Sequence, residues 1–304
     1  MGAEFLDKRY HVRSTSTPSC PHPKAEKVAE TLKKLIEWNS SLCSPSFTNR
    51  KLAMFSEGLR SLSDVHESVH DLLQLGSTQK TLVHSGIEGC IEETLDGSLR
   101  LLDVCGTVKD AMSQMKMHLR DFQSALRRKG REDSDIDKKI SVYFNSRKHI
   151  KKEIRNGLIA IKRAEEQWKS SLIPDKDDQL CAVISVLRKA RLITVSILES
   201  LLIVISASKT TSFKHYIFQR WMDKGRVACE GQEETVNEVK KLDASLSALY
   251  SKKCGKQGEV GKLREIQNQI EELGESIQCL EDGLQGVFRC LIQTRVTLLN
   301  LLNH

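Results

Sequence analysis

His66 and His70 stand four residues apart with Glu67 between them and Asp71 beside them, a spacing that sets two imidazoles on one helical face. Imidazole and carboxylate side chains are zinc ligands, but a site needs at least a third protein ligand, and none is identifiable at a fixed spacing. The likeness to the H-E-x-x-H signature of zinc peptidases is read as superficial, and the expected role is a solvated polar face. Nine cysteines are the other chemical resource, at Cys20, Cys43, Cys90, Cys105, Cys181, Cys229, Cys254, Cys279 and Cys290. No two form a C-x-x-C, and the closest pair is Cys279 and Cys290, about three turns apart on one helix. An odd count at wide spacing without a secretory segment points to reduced thiols in a cytosolic or nuclear setting. Cys105 and Cys181 fall within apolar stripes and are expected to be small core residues. The sequence contains no G-x-S-x-G, Walker loop or G-x-G-x-x-G. No catalytic, cofactor-binding or metal-ligating residue is therefore expected, no cofactor is implied, and the expectation is that the protein is not an enzyme.

Charge is the more informative signal. The formal net charge is +7, and residues 127–155 alone hold eleven basic and five acidic side chains, a surplus of six. Arg147, Lys148, Lys151, Lys152 and Arg155 are read as one basic side of a helix, opposite Ile150, Ile154 and Leu158, and form the candidate interaction patch. Such a patch suits an acidic protein, anionic lipid or nucleic acid. Nucleic acid is disfavoured because stacking aromatics are absent apart from Tyr143 and Phe144. An ordinary solvated face remains the plain alternative. Near the N-terminus, Arg13 precedes Ser14, Thr15 and Ser16, and Thr17-Pro18 is proline-directed, so Ser14, Ser16 and Thr17 are candidate phosphorylation sites. Phosphate there would give the basic patch an intramolecular anion.

The elements that must position these residues are helices. All five prolines, Pro18, Pro21, Pro23, Pro45 and Pro174, lie in the first 45 residues or at one later break, leaving two long proline-free spans. Aromatic residues make up only 5% and β-branched residues do not cluster, which argues against a sheet. Residues 1–23 read as a disordered polar tail and 24–304 as a single helical-bundle domain. Leu52, Phe55, Leu59, Leu62, Val65, Val69 and Leu72 make one stripe. A short helix is expected between Gly76 and Gly89, with Ser77 as its N-cap. Leu101, Cys105, Val108, Met112, Met115, Leu119, Phe122 and Leu126 alternate by four and three, a 3.5-residue period that keeps one seam facing a partner helix. A further seam runs Ile136, Ile140, Tyr143, Ile150, Ile154, Leu158, Ile161 and Trp168, interrupted only at Arg147 and Glu165. The longest seam runs from Leu263 to Leu301, and it is expected to pack within the chain, homo-oligomerisation through it being the alternative. The segment 192–208 is nearly all apolar, which suits a central core helix or, alternatively, a membrane span interrupted by Glu199.

Three stretches carry a resemblance. The start reads Tyr10-His11-Val12-Arg13-Ser14, followed by Pro18-Ser19 and His22-Pro23. A second run reads Glu93-Thr94-Leu95-Asp96-Gly97-Ser98-Leu99-Arg100-Leu101-Leu102-Asp103-Val104-Cys105. The end reads Leu280-Glu281-Asp282-Gly283-Leu284-Gln285-Gly286-Val287-Phe288-Arg289-Cys290-Leu291-Ile292-Gln293-Thr294-Arg295-Val296-Thr297-Leu298-Leu299-Asn300. Together they resemble the land-plant family with the domain of unknown function 241, whose members are described as BYPASS-related. The departures are small: Thr94 stands where leucine is usual and Cys290 where a basic residue is common. The resemblance implies an all-helical, non-enzymatic plant protein associated with root and shoot development, with no catalytic residues to carry over.

The expected fold is all-α, an elongated multi-helix bundle with long coiled-coil-like antiparallel helices. The expected function is non-catalytic, by protein–protein interaction with a partner the sequence does not identify. The alternative is a peripheral membrane adaptor binding anionic lipid through 127–155. The expected location is cytoplasmic, with the membrane periphery or nucleus as alternatives.

Overall fold

The computed structural model describes residues 23–42, 52–84, 88–127, 133–167, 178–207, 237–251 and 259–303. Among them are eight helices and no strand: α1 (Pro23–Leu42), α2 (Leu52–Leu73), α3 (Gly76–His84), α4 (Glu88–Arg127), α5 (Asp133–Gln167), α6 (Asp178–Ser206), α7 (Glu238–Ser251) and α8 (Glu259–Leu302). At 1.5 Å per residue the 44-residue α8 is about 66 Å long, which makes the bundle elongated. The candidate phosphorylation sites Ser14, Ser16 and Thr17 lie outside the described residues.

The apolar stripes become the core as their period requires. Every seam residue of α4 from Leu101 to Phe122 is buried, and so is every seam residue of α8 from Ile266 to Leu301. The α8 seam packs against α2, α4 and α7 of the same chain. Pairing two copies through it would first require those helices to leave.

Helix directions follow from the contacts. Trp38 packs edge-on against Phe55 and Lys24 reaches Asp71, so α1 and α2 are antiparallel. Thr107 lies against Gly157 and Met115 against Arg147, so α4 and α5 are antiparallel. Arg295 reaches Leu95 and Ser98, while Glu281 meets Lys116 and Glu271 meets Gln123, so α4 and α8 are antiparallel as well. The central pair α2 and α8 runs parallel instead. Gly283 sits on Leu59, Gly286 on Ser63 and Thr297 on His70. A parallel pair needs a long crossover, and α3 to α7 provide it.

Glycine permits two of these approaches. A Cβ on Gly283 would lie 3.0 Å from Leu59 Cβ, and one on Gly286 would lie 2.8 Å from Ser63 Oγ. Other helix glycines differ among themselves. Gly97 lies tightly under Arg191 and Gly157 in ordinary contact with Thr107 at 3.4 Å, whereas Gly106 and Gly274 have nothing within 4 Å.

α6 lies at the centre. Ile193, Val195, Ile197, Leu198, Leu201, Leu202, Val204 and Ile205 are all buried against the helices around it. Among the described residues no helix is long and apolar enough to cross a membrane, and the 192–206 run is explained as core. Ser77 is not an N-cap, because α3 already begins at Gly76 and Ser77 sits in its first turn.

Candidate functional site

The expected basic patch separates into two parts. Lys148, Lys152 and Arg155 are exposed and Lys151 is half-buried, as a patch requires. Arg147 departs from it, with its side chain only 3% exposed. The reason is its place in the α5 seam. Tyr143, Arg147 and Ile150 continue the four-three alternation, so residue 147 must point inward whatever its type.

What receives Arg147 is the C-terminus of α6. A helix end leaves four carbonyls without intrahelical donors, and here each is met by a side chain. Ser206 Oγ donates to Ile203 O at 2.8 Å, and Asn237 Nδ2 to Val204 O at 2.8 Å. Arg147 Nη1 donates to Ile205 O at 3.1 Å, and Nη2 to Ser206 O at 3.2 Å. A guanidinium at a helix C-terminus also opposes the negative end of the macrodipole. Ala207 then leaves the helix with φ at 50°, in the left-handed region.

The same guanidinium pairs with Asp243 of α7, Nη2 to Oδ2 at 3.3 Å, and Tyr143 donates its hydroxyl to Asp243 Oδ1 at 2.8 Å. Burial and the Asp243 charge push the Tyr143 phenol well above its ordinary value, so it stays a donor. Two further residues fix α7. Asn237 Oδ1 accepts from Lys240 N at 2.8 Å as the N-cap of α7, while its amide serves α6. Glu238 accepts from Leu52 N at 3.1 Å, placing a carboxylate on the positive end of α2. Both acids of α7 are thereby committed to internal contacts.

Of the two lysines of α7, Lys240 lies on the α5 side of the helix, next to Lys151. Lys240 is half-buried and Lys241 exposed. The Lys151 ammonium is held below its ordinary value, first by burial and then by Arg147, with Lys240 acting in the same direction and Asp243 opposing. A cluster of cations drawn from two helices therefore forms a positive face over the Arg147 node. Sequence spacing found the α5 half of it and missed Lys240 and Lys241, which lie some ninety residues later with no local signal tying them to α5.

The histidine pair also departs from expectation. Residues 66–70 read His-Glu-Ser-Val-His, so the spelling of H-E-x-x-H is complete, but the face is not solvated. His66 is 4% exposed and its Nε2 lies 2.8 Å from Thr194 Oγ1. Thr194 spends its own hydroxyl proton on Ala190 O at 2.7 Å, so His66 must be the donor, and its Nε2 carries the proton. Burial lowers its pKa to about 4 and keeps it neutral. His70 instead faces Thr297 of α8 at 3.2 Å, and Glu67 is exposed. The three residues engage different surroundings, and among the described residues no group of three or more His, Cys, Asp or Glu could hold a metal ion.

Cys105 is buried, with its thiol pushed up to about 12 by burial. Cys181 is half-buried and Cys279 exposed. The run Leu95 to Ser98 is a packing node. Arg295 donates to Leu95 O and to Ser98 Oγ, and Arg191 lies directly over Gly97, where any Cβ would collide with it. Leu95, Gly97 and Ser98, within the run at 93–105 that carries the resemblance, are thus helix-crossing residues. So are Gly283 and Gly286 in the C-terminal motif.

The family model described as Protein BPS1 matches residues 58–301. That span includes the motifs at 93–105 and 280–300, while the N-terminal signature at 10–23 precedes it. No curated protein and no solved structure matches the chain at a significant level.

Proposed function

The chain belongs to the family described as Protein BPS1, and from that premise we propose that it is a non-catalytic helical-bundle protein that acts through its surface by binding a protein partner. The observation that carries this reading is the fate of the polar groups. His66, Arg147, Tyr143, Asn237 and Asp243 have the chemistry of a site, yet they bond to one another, to helix ends or to helix-borne hydroxyls. Charge is presented outward instead, in Lys148, Lys152, Arg155 and Lys241. Cys105 is likewise spent inside, because a thiol raised to about 12 is a packing group and not a nucleophile. The resemblance to the BYPASS-related family adds root and shoot development in a land plant as the setting in which such a partner acts.

Affinity purification of the full chain from plant tissue, followed by mass spectrometry, tests the reading. Reproducible partners retained at physiological salt are the expected result. A chain recovered alone, with turnover of a small molecule in the purified sample, would contradict it.

A further inference from the structure

We propose that the face built from α5 and α7 attaches the protein to an anionic lipid surface. The inference rests on the surface-acting reading above and names a second partner for it. Lys148, Lys151, Lys152, Arg155, Ile159 and Lys162 fall within about 100° of arc on α5, at 3.6 residues per turn. Glu153, the acid within that stretch, falls on the other side of the helix. α7 extends the face with Lys240 and Lys241, and its acids Glu238 and Asp243 are turned to the α2 N-terminus and to Arg147. Cations therefore gather along about 20 Å of helix, on the side of α5 turned away from Glu153.

The chemistry of the face selects among anions. Six of the seven cations are lysines, flexible point charges that follow mobile headgroups, whereas a fixed phosphate in a pocket calls for the planar fork of arginine. The one arginine aimed inward, Arg147, is occupied by two carbonyls and Asp243. Ile159, 38% exposed between Arg155 and Lys162, adds an apolar side chain at the level where headgroups meet acyl chains. The α5 stretch from Lys148 to Lys162 carries no Phe, Tyr or Trp on which bases could stack, which turns the choice away from single-stranded nucleic acid.

The test is co-sedimentation of the full-length protein with phosphatidylcholine vesicles and with vesicles that also contain phosphatidylserine, at low and at physiological salt. Binding is expected only with phosphatidylserine and should weaken as salt rises. The variant Lys148→Glu/Lys152→Glu/Arg155→Glu should bind at least about a hundredfold more weakly, since loss of the three cations alone costs about 1 kcal/mol each near the surface. Its far-ultraviolet circular dichroism and melting curve should match the parent, and Lys148→Arg/Lys152→Arg should bind like the parent. Absence of binding by the parent, or equal binding by the charge-reversed variant, overturns the proposal. So does binding of polyglutamate or an oligonucleotide in place of vesicles, which would assign the face to an acidic protein or to nucleic acid. Retained protein partners without vesicle binding remove the lipid surface and leave the surface-acting reading standing. Loss of both removes both.

Discussion

Replacing Arg147 with methionine keeps most of the side-chain volume and deletes the charge. In the folded protein this leaves Asp243 with only the Tyr143 hydroxyl and strips the donors from Ile205 O and Ser206 O. Breaking a buried pair by removing one partner costs about 3–5 kcal/mol, because the surviving charge stays buried. The side chains are 3% and 19% exposed, so solvent screening relieves little of that. At this chain length about 2–4 °C of melting temperature corresponds to each kcal/mol, and Arg147→Met should melt about 10 °C below the parent. Asp243→Leu should cost about 3 kcal/mol, since the guanidinium keeps its two carbonyls. The double variant should be about 3 kcal/mol more stable than the sum of the singles predicts, because it buries no orphaned charge. Thermal and urea melts followed by circular dichroism measure all three, with Lys148→Met as the exposed control expected within about 0.5 kcal/mol of the parent. An Arg147→Met protein that melts with that control, or strict additivity in the cycle, would refute the assignment of Arg147 to the interior.

Further outcomes follow from the same interior. His66 has a folded pKa of about 4 against an ordinary value of 6.5, so the unfolded chain binds more protons between those values. Its contribution is complete above about pH 6.5 and is lost as pH falls toward 4, amounting to about 3 kcal/mol. His66→Leu should flatten the acid limb of a stability-versus-pH curve, and an unchanged limb would count against the buried neutral imidazole. Alkylation of the native protein should label exposed Cys279 quickly and leave Cys105 protected until unfolding, as peptide mapping will read. Gly97→Ala drives a methyl into Arg191 and should cost about 1–3 kcal/mol, whereas Gly106→Ala, with open space around it, should be neutral or slightly stabilising by helix propensity.

The seams were legible because a side chain's place on a helix depends on spacing alone. Leu101 to Phe122 and Ile266 to Leu301 are buried as their alternation requires. The same rule places Arg147 and His66 inside, since 143-147-150 and 62-66-69 keep the step. Residue type misled there, because a cation and an imidazole read as solvent-facing unless a partner is known. Those partners, Asp243 and Thr194, lie 96 and 128 residues away, and no spacing rule within one helix reaches them. The parallel run of α2 beside α8 was hidden for the same reason. A seam records that a face is covered and leaves open which helix covers it, and in which direction.

The central claim is that the outward-facing cations of α5 and α7, and no interior group, meet what the protein binds. Lysine footprinting of the full chain in plant extract, compared with the purified protein, tests it without foreknowledge of the partner. Lys148, Lys152 and Lys241 are predicted to be shielded from acylation in the extract and reactive once purified. Equal reactivity of these three in both samples, with protection confined to lysines elsewhere, would contradict the account.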